Sequence, residues 1–73
     1  MPHITIKTYP DVTEEQKKEL AKAITREVME ITGKPEGFIS IDIIDVAEDK
    51  WMDEVYATEI KPKFEGLYKK PGY

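Results

Sequence analysis

The sequence predicts an α+β fold: a β-α-β unit with two parallel strands, followed by a helical C-terminal segment. Three stretches support this prediction. Residues 4–8 alternate apolar and polar side chains, a long amphipathic stretch ends at Gly33, and residues 38–46 alternate again around isoleucines. Strands joined through a helix run parallel, with a right-handed crossover. A chain of 73 residues is one domain, so we assign residues 1–73 to a single unit.

The first predicted strand covers residues 4–8, Ile4 to Thr8. Its alternation and its β-branched residues are typical of a strand with one buried face. Pro10 lies just beyond it and has no N–H group to donate to a neighbouring strand. The strand is therefore expected to end in a turn over residues 9–11.

The predicted helix begins at a capping box, because Thr13 is followed three residues later by Gln16. Its apolar stripe has helical spacing and comprises Leu20, Ile24, Val28 and Ile31. The lysines, Arg26 and Glu30 fall largely on the opposite, solvent-facing side. Gly33 is placed to end the helix in a left-handed conformation, and Pro35 prevents its continuation.

The second predicted strand covers residues 38–46. Ile39, Ile41 and Ile43 share one face, which we expect to pack on the helix. The other face is mixed, with Phe38, Ser40, Asp42 and Ile44. Parallel sheets are normally covered on both faces. Two strands and one helix leave one face bare, so we expect a homo-oligomer whose sheet is completed by dimerisation.

The chain after Val46 has a helical pattern of apolar residues from Met52 to Leu67. Pro62 interrupts this pattern, so a kink or break is predicted between Ala57 and Lys61. Residues 69–73 form a terminal tail.

Composition excludes several classes of function. The formal net charge of −4 argues against nucleic-acid binding, which needs a basic face. No apolar run approaches the ~20 residues of a membrane span, and no signal peptide is visible. The chain has no cysteine and a single histidine, so no metal site is expected. We therefore predict a cytoplasmic protein with no membrane or nucleic-acid partner.

The order and spacing of several short motifs resemble the 4-oxalocrotonate tautomerase family, and most closely its phenylenolpyruvate tautomerase-like branch. The motifs are Met1-Pro2-His3-Ile4, Ile6-Lys7, the helix start at residues 13–17, Ile39-Ser40-Ile41, Trp51, Glu59-Ile60, Pro62 and Lys69-Lys70-Pro71-Gly72-Tyr73. The resemblance implies keto–enol tautomerisation of 2-oxo acids without metal or cofactor. It also implies dimers, or hexamers built from dimers, and the branch favours a dimer.

The resemblance makes Pro2 the catalytic residue once Met1 is removed. Its secondary amine would act as general base and then as general acid. Desolvation at the strand entrance is expected to lower the pKa of this amine, and the ring makes it rigid. Trp51 matches an aromatic position that lines the family's pocket.

The chain departs from the family at two positions where many members have substrate-binding arginines. Val12 and Ser40 occupy them here, and the only arginine, Arg26, lies in the middle of the helix. Bidentate arginine clamps suit dicarboxylates. Their loss favours a monocarboxylate with an aromatic or apolar tail, bound by Trp51, Phe38 and Ser40.

Two other interpretations follow from the same residues. The missing arginines also fit a non-catalytic oligomeric module that kept the fold. Other proline-based reactions of small acids, such as hydration or dehalogenation, are less favoured because they too would need arginines. His3 is predicted to be a strand-end side chain at the surface or at a subunit contact.

Overall fold

The computed structural model describes all 73 residues, Met1–Tyr73. Its main elements are strand β1 (His3–Thr8), helix α1 (Glu14–Thr32), strand β2 (Ser40–Asp45) and a second helix, α2 (Met52–Ile60). Short 3-10 turns cover Glu36–Phe38, Glu48–Lys50 and Lys61–Gly66. This order confirms the predicted β-α-β unit with a helical C-terminal segment.

The two strands form a parallel sheet in the register His3↔Ser40, Ile4↔Ile41 and Ile6↔Ile43. Paired residues share a face, and successive residues alternate between faces. One side, the isoleucine face, carries the half-buried Ile4, Ile6, Ile41 and Ile43. The opposite side, here called the open face, carries His3, Thr5 and Lys7 from β1 with Ser40, Asp42 and Ile44 from β2.

Both predicted ends of α1 are confirmed. The Thr13 side chain accepts the Gln16 N–H at 3.1 Å, and the Gln16 side chain accepts the Thr13 N–H at 2.9 Å. Gly33 follows the helix with φ 74°, a left-handed conformation that favours glycine, and its N–H donates to the Met29 carbonyl.

Two side chains of α1 differ from the predicted pattern. The side chain of Lys17 is only 17% exposed, because it turns toward the end of β2 instead of toward solvent. Ile31, predicted to face the core, is 79% exposed. It lies in the last turn of the helix, where no other secondary-structure element of the protomer covers it.

The second strand and the C-terminal helix also differ in detail. Phe38 belongs to the 3-10 turn that precedes β2, so the strand begins at Ser40 and not at residue 38. The C-terminal helix α2 has π-type hydrogen bonding and runs through the predicted break to Ile60. The distortion lies later, at Lys63, because Pro62 has no N–H to continue the helix.

The isolated protomer covers little of its own apolar surface. Only Val46 and Val55 are buried, and the total accessible surface is 5781 Å². A compact monomer of 8.4 kDa exposes about 4,600 Å², so this protomer exposes about 1,200 Å² more. Its radius of gyration, 13.8 Å, also exceeds the roughly 11 Å of a compact chain of this length. The protomer therefore has the shape of one part of a larger assembly.

Candidate active site

Pro2 lies at the entrance to β1 and is held there by its carbonyl group. The Ser40 N–H donates to the Pro2 carbonyl at 3.1 Å, which joins the starts of the two strands. Pro2 is half-buried, whereas Met1 is 92% exposed. The nitrogen of Pro2 takes no part in the sheet, so it is available for chemistry when no residue precedes it.

A polar cluster on the open face adjoins Pro2. His3 Nδ1 and Ser40 Oγ form a hydrogen bond of 2.6 Å across the two strands. The other ring nitrogen, Nε2, lies 3.4 Å from Thr5 Oγ1, which is a long contact. Ser40 therefore binds Pro2 through its main chain and His3 through its side chain.

Phe38 is near the same end of the sheet. It precedes Ser40 by two residues, in the 3-10 turn that leads into β2, and is 50% exposed. The structure joins Pro2 directly to Ser40, and Phe38 lies two residues along the chain from this contact. An exposed aromatic ring at this position can supply apolar contact to a bound molecule.

Trp51 lies at the opposite end of the sheet. Its ring packs edge-on against Tyr9, which follows β1, with 5.4 Å between the centroids. Tyr9 is seven residue steps from Pro2 along an extended chain, a span of about 23 Å. Trp51 and Pro2 of the same protomer therefore cannot contact one molecule of the size of a 2-oxo acid.

The C-terminal tail completes an aromatic cluster around Trp51. The indole N–H of Trp51 donates to the Tyr73 hydroxyl at 2.9 Å, and the Tyr73 ring lies 5.6 Å from that of Tyr56. Neither Tyr9 nor Tyr73 was predicted from the sequence to be a site residue. The repeated tyrosines were visible in the sequence, but their contacts depend on how the tail folds back.

The cations near the sheet are engaged by carboxylates. Lys7 pairs with Glu59 of α2, and Lys17 Nζ lies 2.9 Å from an Asp45 oxygen. The hydrogen bond with Asp45 raises the pKa of Lys17 above its usual value of 10.5. Arg26 lies on α1 beside Glu27, at 3.7 Å, and is largely exposed.

The protomer has three concave surfaces, and all of them are shallow grooves along α1. None is lined by Pro2, Ser40 or Trp51. A closed pocket around Pro2 therefore requires a second surface. No helix is long and apolar enough to cross a membrane. No cluster of three or more histidine or carboxylate side chains is arranged to hold a metal ion.

Comparison with known proteins assigns the chain. A family model described as tautomerase enzyme matches residues 2–56. The chain belongs to the tautomerase family. Tautomerase PptA of Pectobacterium carotovorum is 38% identical over 74 residues, covering 100% of this chain and 97% of the relative. Tautomerase PptA of Escherichia coli is 39% identical, with the same coverage of both chains. A probable tautomerase of Xylella fastidiosa is 34% identical, covering 100% of this chain and 89% of the relative.

Solved structures agree with this tautomerase assignment. YwhB, a homologue of 4-oxalocrotonate tautomerase, aligns with a TM-score of 0.63 and 35% identity, covering 66% of this chain and 79% of that one. A 4-oxalocrotonate tautomerase isozyme of Methylibium petroleiphilum aligns with a TM-score of 0.65 and 32% identity, covering 68% and 81%. The family prediction is confirmed, and the chain is a tautomerase, an isomerase.

Proposed function

We propose that the processed chain converts enols of 2-oxo acids into the keto forms, with the amine of Pro2 as the proton carrier. The position of Pro2 carries this proposal: its carbonyl is fixed to Ser40 while its nitrogen is outside the sheet. The family model begins its match at residue 2, which suits a functional chain that starts with proline. While Met1 is attached, that nitrogen is an amide and has no basic lone pair.

The chemistry needs one group with two protonation states. Neutral Pro2 takes the proton of the enol hydroxyl, whose O–H electrons form the carbonyl double bond. The electrons of the C=C bond then take the proton back from the Pro2 ammonium group at C3. Pro2 is neutral again after each turnover, so no cofactor, oxidant or reductant is consumed. The rigid ring and the Ser40 contact fix the base where the substrate must bind.

The proposed substrates are monocarboxylates with an aromatic or apolar tail. Phe38, in the turn just before β2, is half exposed, and Ser40 supplies a hydroxyl at the start of β2. Arg26, the single arginine, is exposed on α1 beside Glu27, which does not favour a bidentate clamp on a second carboxylate. We propose the cytoplasm as the compartment, in keeping with a chain that has no cysteine.

The proposed assembly is a dimer that supplies Trp51 from the partner subunit. Both strands of the sheet are edges that can pair with another copy. A two-fold axis through such an edge makes the paired strands antiparallel. The Pro2 end of one protomer then lies beside the Trp51 end of the other. The excess exposed surface of about 1,200 Å² per protomer amounts to about 2,400 Å² for two protomers, which is within the range of obligate dimer interfaces.

The test is ketonisation of phenylenolpyruvate by protein whose intact mass shows that Met1 is absent. Pro2→Ala is expected to reduce kcat/KM at least about 100-fold, the lower range for loss of a positioned general base. A control, Pro10→Ala, changes a proline in the turn after β1 and should retain activity. Undiminished ketonisation by Pro2→Ala would refute the mechanism. No rate above buffer for processed wild-type protein would favour the non-catalytic module.

A further inference from the structure

We propose that His3, held in place by Ser40, binds the carboxylate of the 2-oxo acid beside Pro2. This proposal rests on the proposed function and assigns the carboxylate site that an arginine would otherwise provide. The ring of His3 bridges the two strands one residue after the base, and the only partner of its Nε2 within the protomer is Thr5 Oγ1, at the long distance of 3.4 Å.

Geometry favours His3 because backbone and side-chain bonds fix it at the required place. Its Nδ1 is bound to Ser40 Oγ at 2.6 Å, and Ser40 N–H binds the Pro2 carbonyl at 3.1 Å. Along an extended chain, the nitrogen of one residue lies about 5 Å from the next Cα. In a 2-oxo acid the carboxylate is bonded directly to the carbonyl carbon, and the reacting carbon is one bond further. One small molecule can therefore contact both Pro2 nitrogen and the His3 ring.

The hydrogen-bond donors of the His3 imidazole also suit a carboxylate ligand. When protonated, imidazole donates from both ring nitrogens. Nδ1–H can donate to the Ser40 hydroxyl, which leaves Nε2–H for a second acceptor. Within the protomer, the neighbour of Nε2 is Thr5 Oγ1 at 3.4 Å. A carboxylate oxygen at a normal hydrogen-bond distance would replace Thr5 as the main acceptor of the Nε2 proton.

His3 differs from the other basic side chains near the sheet because it has no carboxylate partner. Lys7, on the same face, is engaged by Glu59 of the C-terminal helix, and Lys17 is engaged by Asp45. Imidazole can carry a positive charge, and no carboxylate is among the hydrogen-bond partners of His3. The charged groups that share its surroundings are Asp42 of β2, the Lys7–Glu59 pair and the amine of Pro2.

The first experiment separates substrate binding from proton transfer. His3→Asn keeps a donor near Ser40 but cannot carry a positive charge, so its KM for phenylenolpyruvate should be about tenfold higher than that of processed wild-type enzyme at the same pH, with kcat little changed. His3→Lys supplies a permanent cation and should return KM toward the wild-type value.

Arg26→Gln provides the matched control because it removes the positive charge of the chain's only arginine. Its KM should equal that of wild type. A KM that rises in Arg26→Gln but not in His3→Asn would overturn the proposal. So would a KM in His3→Asn that equals that of wild type.

A second measurement needs neither a variant nor turnover. The chain has one histidine, so its imidazole C–H resonances in proton NMR belong to His3. Phenylpyruvate should shift these resonances saturably. The same shift is expected in Pro2→Ala protein, even if that variant retains ketonisation and the catalytic role of Pro2 fails. Resonances that do not respond to phenylpyruvate would exclude His3 as the carboxylate ligand.

Discussion

The contact between Trp51 and Tyr73 allows a sharp test of how the tail is held. Tyr73→Phe removes only the hydroxyl that accepts the indole N–H at 2.9 Å, and it leaves the ring beside Tyr56. A hydrogen bond of this kind contributes about 0.5–1.5 kcal/mol to stability. Tyr73→Ala also removes the ring pair, which adds about 0.5–1.5 kcal/mol. The two losses together should lower the free energy of unfolding by about 1–3 kcal/mol.

The assay uses the fact that Trp51 is the only tryptophan. Its fluorescence emission reports directly on the indole, and thermal unfolding at one fixed protein concentration gives the stability. For a domain of this size 1 kcal/mol corresponds to roughly 4–8 °C in Tm. Tyr73→Phe should therefore lower Tm by several degrees and change the emission maximum, and Tyr73→Ala should do more of both.

The matched control is Tyr68→Phe, which removes a hydroxyl from a fully exposed tyrosine five residues earlier. It should leave both the emission and Tm unchanged. If Tyr73→Phe equals wild type in both measurements, the tail does not bind Trp51 through this hydroxyl. If Tyr68→Phe has the larger effect, the tail is docked through another residue.

Two further predictions concern the Lys17 ion pair and the assembly. Because Asp45 raises the pKa of Lys17 in the folded chain, the pair stabilises the fold fully below about pH 10.5, the unfolded value, and this contribution is lost as pH rises through the folded pKa. Lys17→Gln should therefore have a lower Tm than wild type at pH 8, and this difference in Tm should narrow above about pH 10.5. The control variant Lys18→Gln should have the Tm of wild type. A difference in Tm for Lys17→Gln that stays constant to about pH 11.5 would contradict the prediction. Because the protomer exposes so much apolar surface, sedimentation at micromolar concentration should give at least twice the protomer mass of 8.4 kDa, and a folded monomer there would rule out the dimer.

The sequence was sufficient for features that depend on neighbouring residues. The capping box at Thr13 and the left-handed Gly33 require only local hydrogen bonds and backbone freedom, so both could be predicted and both are confirmed. The alternation of isoleucines likewise predicted which side of β2 is covered. Lys17 was misassigned because its side chain is drawn to Asp45, a residue 28 positions away that helical periodicity does not take into account.

The candidate site could be predicted only in part. Pro2 came from position and family resemblance, whereas the contact of His3 depends on the strand register His3↔Ser40. Register across a helical crossover is set by the packing of the whole unit, and one sequence does not specify it. The separation of Trp51 from Pro2 follows from the same topology. The family resemblance assigned both residues to one site, but within the protomer they lie at opposite ends of strand β1.

The hydrogen bond from Ser40 to the Pro2 carbonyl has a consequence for maturation. Met1 takes part in no backbone hydrogen bond, and proline has no N–H to lose from the sheet. Cleavage of the first peptide bond therefore removes nothing that holds the strands together. Under the proposed mechanism, an aminopeptidase can therefore act on a chain that has already folded, and the amine that it releases is already fixed in place. Folding and the proposed activation would then be independent events.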